Sequence, residues 1–146
     1  MRGYTLIELV TVILLIGILA ALAIPRLFDA AAFSSRGFFE EVIHSARYGQ
    51  KLAVASGCAV QLSISGGGFA LHQRQNCAGG AFNRPVPRPS GSGAFAGKAP
   101  SGVTLSATAA TIVFDSLGRA TPGNITVFVD GRSFRIDGES GYVDGP

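Results

Sequence analysis

The chain has 146 residues, enough for one modest domain, and its composition changes sharply along its length. Its formal net charge of +3 is too small to indicate a nucleic-acid-binding face. Two cysteines do not make a structural zinc site, and neither a metal nor a cofactor is expected. The sequence contains no nucleophile elbow, zinc-protease motif or phosphate-binding loop, so an enzyme is not predicted.

The segment from Tyr4 to Ile24 is apolar except for glycine, threonine and one charged side chain, Glu8. As a helix it would span about 31 Å, which matches the hydrocarbon core of a bilayer. A secretory signal peptide would have a shorter apolar stretch, although Ala20-Ala21-Leu22-Ala23 could mimic its cleavage site. A plain membrane anchor explains the length but not Glu8, because a carboxylate within an apolar helix is costly.

The run Gly3-Tyr4-Thr5-Leu6-Ile7-Glu8-Leu9-Val10, followed by Gly17 and Pro25, resembles the processing and assembly segment of type IV pilins and type II secretion pseudopilins. The resemblance implies that prepilin peptidase cleaves between Gly3 and Tyr4, which removes a leader of residues 1–3, and that Tyr4 is then N-methylated. Two features depart from the usual pattern: Tyr4 replaces a phenylalanine, and the leader is short.

The same resemblance gives Glu8 a role in assembly. The cationic amino group of Tyr4 would enter an apolar fibre core, where an unpaired charge is costly, and Glu8 of a neighbouring subunit would neutralise it. The alternative is that Glu8 is an interfacial residue without a partner. With Arg2 on the cytoplasmic side, residues 4–25 would cross the inner membrane once, and the domain after Arg26 would lie in the periplasm.

Helical periodicity continues beyond Pro25, so we expect a kink there and one long helix from about Tyr4 to Ser56, with residues 26–57 as its amphipathic half. Gly57 is the expected stop. The face expected to pack on a sheet consists of Phe28, Ala32, Ser35, Phe39, Val42, Ala46, Gly49 and Ala53.

Residues 58–146 are predicted to form an antiparallel β domain, which makes the fold α+β and pilin-like. The predicted strands are 59–64, 69–74, 111–114, 125–129, 132–136 and a short one at 142–143, and Asp130-Gly131 is a hairpin turn. Residues from about 78 to 100 are rich in glycine, proline, serine and arginine and are predicted to form an exposed loop.

Cys58 and Cys77 are equidistant from the Gly67–Gly68 bond, so a hairpin centred there would place them opposite each other. In a domain outside the cytoplasm, this symmetry predicts one intrachain disulfide. Its loop would contribute about 3 kcal/mol to stability.

A second resemblance is carried by Ala46-Arg47, Ala53-Val54-Ala55-Ser56-Gly57, Val60-Gln61-Leu62, Phe114-Asp115-Ser116-Leu117-Gly118-Arg119 and Gly138-Glu139-Ser140-Gly141-Tyr142-Val143. Together these segments are similar to the H-type minor pseudopilins, and most similar to minor pilins of the mannose-sensitive haemagglutinin (MSHA) pilus. The resemblance implies a minor subunit of an MSHA-like type IV pilus, acting in initiation or at the tip. The alternatives are a minor pseudopilin of a type II secretion system and a pilus-borne adhesin or DNA-binding module.

Overall fold

The computed structural model of the protein describes residues 5–27 and 30–145, and it leaves the side chains of residues 22–31 undescribed. The expected processing residues Gly3 and Tyr4 therefore lie outside the described residues, as does Phe28. The chain divides into two compact units, residues 1–33 and residues 34–146.

The first unit contains helix α1, which runs from Leu6 to Leu27. Thr5 caps its N-terminus, because the Thr5 hydroxyl oxygen accepts a hydrogen bond from the backbone N–H of Glu8 at 3.3 Å. Pro25 lies inside the helix, which continues for two residues beyond it.

Helix α2 runs from Ala30 to Ser56. The expectation that one helix continues from α1 into α2 depends on residues 28 and 29, which lie outside the described residues. On α2 the expected apolar face is confirmed from residue 35 onward, whereas Ala32 is exposed. Its buried members are Ser35, Phe39, Val42, Ala46, Gly49 and Ala53. Gly57 follows the helix with a φ of 66°, a left-handed conformation that suits the glycine after a helix end.

The strands, all paired in antiparallel fashion, form two sheets after α2. In chain order they are β1 (Val60–Ser65), β2 (Gly68–Gln73), β3 (Arg84–Pro85), β4 (Ala96–Lys98), β5 (Leu105–Ala107), β6 (Thr111–Phe114), β7 (Ala120–Thr121), β8 (Ile125–Val129), β9 (Arg132–Ile136) and β10 (Val143–Asp144). The first sheet has the order β3-β2-β1-β6-β7, with β4 also paired to β2, and the second has the order β10-β9-β8-β5.

Two-residue turns close both main hairpins. Gly66 and Gly67 join β1 to β2, and Asp130 and Gly131 join β8 to β9, all with positive φ. The Asp130-Gly131 hairpin is as predicted. The first hairpin differs from the prediction because Ser65 pairs with Gly68, which moves its centre from the Gly67–Gly68 bond to the Gly66–Gly67 bond.

The core lies between α2 and the two sheets. Phe38 packs against Phe69 of β2, with their ring centroids 6.0 Å apart, and Phe39 meets Phe134 of β9 edge-on at 5.9 Å. At Gly49 the helix comes so close to the first sheet that an added Cβ would lie 2.9 Å from a Leu71 methyl group. The helix therefore covers both sheets with one face.

The segment predicted as an exposed loop is more structured than expected. Most of its residues are exposed, but it contributes β3 and β4 to the first sheet, and Val86 and Phe95 are buried in the core. The Phe95 N–H donates to the Val86 carbonyl at 2.6 Å, and both residues bond to the backbone of Leu71. We call residues 86–97 the crossing segment, because they lead from β3 to β4 across the outer edge of β2.

Replacing Phe39 by alanine should destabilise the fold strongly. Phe39 is fully buried, so the change leaves a cavity that costs about 3–5 kcal/mol in the free energy of unfolding. Denaturant unfolding of the full chain in mild detergent measures this loss. Phe33→Ala is the matched control, because Phe33 lies on the same helix with 81% of its surface exposed. Equal losses in the two variants would show that Phe39 is not a core residue.

Candidate functional site

The described N-terminal region carries Glu8 near the start of α1. Glu8 is exposed and lies three residues after the cap Thr5, the spacing of a capping box. Its negative charge in the first turn suits the positive end of the helix dipole. Glu8 is therefore held in the first turn of the helix, with its side chain exposed.

Helix α1 has an apolar surface that remains exposed. The exposed large side chains are Leu6, Ile7, Leu9, Val10, Val12, Ile13, Leu14, Leu15, Ile16, Ile18 and Leu19. Across residues 5–27 and 30–145, no helix is both long enough and apolar enough to pass through a membrane. The apolar surface from Leu6 to Leu19 is thus a large area that a partner or another apolar phase could cover.

The turn Asp115–Arg119 connects β6 to β7 and is organised by one carboxylate. Oδ1 of Asp115 accepts from the backbone N–H groups of Leu117 and Arg119, both at 2.9 Å, and Oδ2 accepts from Nε of Arg119 at 2.9 Å. Burial raises the pKa of Asp115, but the hydrogen bonds from Arg119 and Leu117 outweigh it, so the pKa lies below its ordinary value. The ionised carboxylate therefore stabilises this turn at neutral pH and loses that effect as the pH falls below about 3.8.

A second turn, Asp137–Tyr142, connects β9 to β10 in a similar way. Oδ1 of Asp137 accepts from the Ser140 hydroxyl at 2.7 Å and from the Ser140 N–H at 2.8 Å. These bonds hold the pKa of Asp137 below its ordinary value. The Gly141 N–H donates to the Asp137 carbonyl, and the Asp137 N–H donates to the Tyr142 carbonyl.

The two turns meet on the C-terminal half of α2. A Cβ added to Gly141 would overlap the carbonyl oxygen of Gly118, and one added to Gly118 would lie 3.0 Å from a Val54 methyl group. Nε2 of Gln50 donates to the Ser140 carbonyl at 2.8 Å. We call this junction of the two turns with Gln50 and Val54 the turn junction.

Two of the segments that carried the family resemblance meet at the turn junction. Phe114-Asp115-Ser116-Leu117-Gly118-Arg119 and Gly138-Glu139-Ser140-Gly141-Tyr142-Val143 are far apart in sequence, but the structure brings their glycines into contact. Sequence reasoning found both segments and missed their contact. The signal was available in the two aspartate-containing turns, each with a glycine three or four residues after the aspartate.

The Cys58–Cys77 disulfide is present, with the Cα atoms 4.5 Å apart. The hairpin centre predicted from its symmetry was wrong by one residue, so the β ladder alone would place Cys58 opposite Gln75. The chain turns back instead: the Gly79 N–H donates to the Asn76 carbonyl, and the Gln75 N–H donates to the Ala81 carbonyl. This turn brings Cys77 to Cys58 after β2 has ended.

The histidines lie in different parts of the domain. His44 is on α2, where its Nε2 lies 4.0 Å from a Glu40 carboxylate oxygen, and His72 is on β2 opposite Gln61. Among the residues that the structure describes, no group of three or more histidine, cysteine, aspartate or glutamate side chains could hold a metal ion.

Comparison with known proteins identifies the family. Residues 39–141, more than two thirds of the chain, match the model of the family described as Type II transport protein GspH. The chain belongs to the GspH family. The match begins on the buried face of α2 and ends at Gly141, so it includes the first sheet, the second sheet except β10, and the glycines of the turn junction. No curated protein sequence matches the chain.

Solved structures of similar fold are minor pilins and pseudopilins. The type IV minor pilin FimU of Pseudomonas aeruginosa PAO1 has a TM-score of 0.55 at 14% identity, covering 73% of this chain and 84% of FimU. The minor pseudopilin EpsH from the type 2 secretion system of Vibrio cholerae has a TM-score of 0.52 at 17% identity, covering 79% of this chain and 94% of EpsH. The predicted α+β pilin-like fold is confirmed.

The family and the fold support a structural subunit of the minor pilin or pseudopilin class. Proteins of this class assemble with other pilin or pseudopilin subunits, which agrees with the exposed apolar surface of α1.

Replacing Gly141 by alanine should disrupt the turn junction. The change combines left-handed backbone strain at a φ of 62° with a clash against the Gly118 carbonyl. Gly57→Ala is the matched control, because Gly57 has a φ of 66° and open space around its Cβ position. Thermal unfolding should show a larger loss of stability for Gly141→Ala, whereas equal losses would contradict the close contact of the two turns.

Proposed function

We propose that this protein is a minor pilin that is processed by prepilin peptidase and assembled through α1 into an MSHA-like type IV pilus, in initiation or at the tip. The observation that carries the proposal is a GspH-family domain that follows an apolar helix with one acidic residue, Glu8. The domain indicates the class of subunit, and α1 supplies the apolar surface through which subunits pack in a fibre.

Before assembly, the subunit would be held in the inner membrane by the apolar run Tyr4–Ile24, with the domain in the periplasm. The length of that run and Arg2 on its N-terminal side support this orientation. The disulfide also supports it, because disulfides form and persist in the oxidising periplasm. After extraction from the membrane, the subunit would enter the fibre and reach the cell surface.

Processing is proposed between Gly3 and Tyr4, followed by N-methylation of Tyr4. Mass spectrometry of the membrane-extracted protein should show a chain that begins at methylated Tyr4. A mature chain that begins near Ala23 would instead indicate a secretory signal peptide and would overturn the proposal. Gly3→Leu should block cleavage, because a peptidase pocket adapted to glycine cannot accept a bulky side chain, and the precursor should accumulate uncut in the membrane.

Glu8 is proposed to act between subunits. The cap at Thr5 fixes the start of α1, so Glu8 lies in the first turn of the helix, close in sequence to the proposed amino terminus at Tyr4. In a staggered bundle of such helices, the carboxylate of one subunit can reach the amino group of the next. Within an apolar fibre core this ion pair would set the axial register of the helices, because leaving either charge unpaired is costly.

Glu8→Ala should therefore reduce assembly and leave folding intact. The variant should be processed and should show the unfolding midpoint of the wild type, but its amount in sheared fibres should fall at least about tenfold, since removing one member of a buried pair leaves the other charge uncompensated. Immunoblotting of sheared fibres against the membrane fraction measures the ratio. Thr11→Ala is the control, because the Thr11 hydroxyl bonds within its own helix, to the carbonyls of Ile7 and Glu8. Wild-type incorporation of Glu8→Ala would refute the pairing.

The second candidate is a minor pseudopilin of a type II secretion system, and the fold similarity to EpsH favours it. Deletion of the gene separates the two functions. Loss of surface fibres with normal protein secretion supports the pilus subunit, whereas loss of secretion with normal fibres supports the pseudopilin.

A further inference from the structure

A cleft of about 430 Å³ lies between the exposed side of α2 and the crossing segment. Its lining consists of His44, Arg47, Tyr48 and Lys51 from the helix and Pro89 and Phe95 from the crossing segment. The cleft has the volume of a small ligand site and combines cationic groups with aromatic and proline walls.

The crossing-segment wall of the cleft is held in place by contacts to α2 and within the segment itself. Nη1 of Arg88 lies 2.8 Å from a Glu41 carboxylate oxygen on α2, and Nη2 of Arg88 donates to the Ala96 carbonyl. The guanidinium of Arg88 also lies over the Phe95 ring, 5.4 Å from its centroid. Phe95 in turn packs against Tyr48 at 5.6 Å. The cleft is therefore preformed, and a ligand would not have to order the crossing segment.

The cleft carries an excess of positive charge. Arg47 and Lys51 are four residues apart on α2, a spacing at which like charges face each other and destabilise the helix slightly. Within residues 5–27 and 30–145, neither forms an ion pair. Of the nearby acids, Glu41 is engaged by Arg88, and Glu40 lies beside His44 at 4.0 Å. A bound anion would relieve the repulsion between Arg47 and Lys51.

We infer that this cleft binds an acidic side chain, aspartate or glutamate, presented by a peptide segment of a partner subunit. The guanidinium of Arg47 and the ammonium of Lys51 would pair with the carboxylate, and Tyr48, Pro89 and Phe95 would contact the methylene groups and the neighbouring peptide. The apolar walls favour a peptide over a free inorganic anion, which would leave them uncovered. The inference rests on the proposed function, because assembly supplies the partner.

The test uses the full chain in mild detergent and a labelled, end-capped oligoglutamate peptide, followed by fluorescence anisotropy. Arg47→Gln combined with Lys51→Gln should weaken peptide binding at least about tenfold, because charge-assisted hydrogen bonds are lost. Arg84→Gln combined with Lys98→Gln removes the same charge from two exposed residues outside the cleft and should change affinity less than about twofold. Nη2 of Arg47 also contacts the Val143 carbonyl at 3.5 Å, so replacing Arg47 removes a contact within the fold as well. Lys51→Gln alone is therefore a second variant that leaves this contact in place.

The outcomes separate the inference from its alternatives. Equal weakening by the two double variants would indicate non-specific charge attraction and would overturn the inference. Equal binding of an oligoglutamine peptide would overturn the role of the carboxylate, and competition by inorganic phosphate at the affinity of the peptide would indicate a free-anion site instead. A wild-type protein that enters fibres without binding oligoglutamate would refute the inference alone, whereas binding without processing at Gly3 would refute the proposed function alone.

Discussion

Helix α2 packs against two sheets at once, and the rest of the domain depends on this contact. Its sheet-facing residues change in size along the helix, from Phe39 to the small Ala46, Gly49 and Ala53. Bulky residues separate helix and sheet at one end, and small residues let them approach closely at the other. At Gly49, Leu71 and Phe114 of the first sheet lie so near the helix that an added Cβ would be 2.9 Å and 3.5 Å from their side chains. The crossing segment and the turn junction both attach to a helix that is positioned in this way.

The helix face and the main strands could be predicted from periodicity, because a half-buried element shows its period in the sequence. The register of the first hairpin could not be predicted from periodicity. Moving its centre by one residue shifts the pairing by two residues, which leaves every side chain on its own face. Alternation therefore cannot distinguish the two registers. The observed register pairs Leu62 with Leu71 and Ile64 with Phe69, whereas the predicted register would have placed only Ile64 opposite an apolar residue, Leu71, so the observed one has one more apolar pair at the core.

The structure of the crossing segment could not be predicted either, for a different reason. Only Val86 and Phe95 are buried there, and two isolated anchors in a proline- and glycine-rich stretch have no period to detect. The Arg88 contacts that fix it join residues within the segment and link it to Glu41 of α2, which composition cannot reveal. At the turn junction the sequence identified both turns, because aspartate and glycine have local signals, but their contact comes from the fold. The site at Glu8 could be proposed from sequence alone, because a single carboxylate in an apolar helix is conspicuous without any structure.

Strand β10 lies late in the chain, so it affects folding during synthesis as well as the stability of the folded domain. Val143 is buried, and Arg47 contacts its carbonyl across a sequence separation of 96 residues, while Gln50 and Ser140 are separated by 90. The apolar face of α2 thus leaves the ribosome well before the residues that complete its cover. At about 5–20 residues per second, this interval lasts roughly 5–20 seconds. During that time the helix can bind other apolar surfaces, so the fraction of chains that aggregate depends on the rate of translation and on whatever shields α2 until β10 is synthesised.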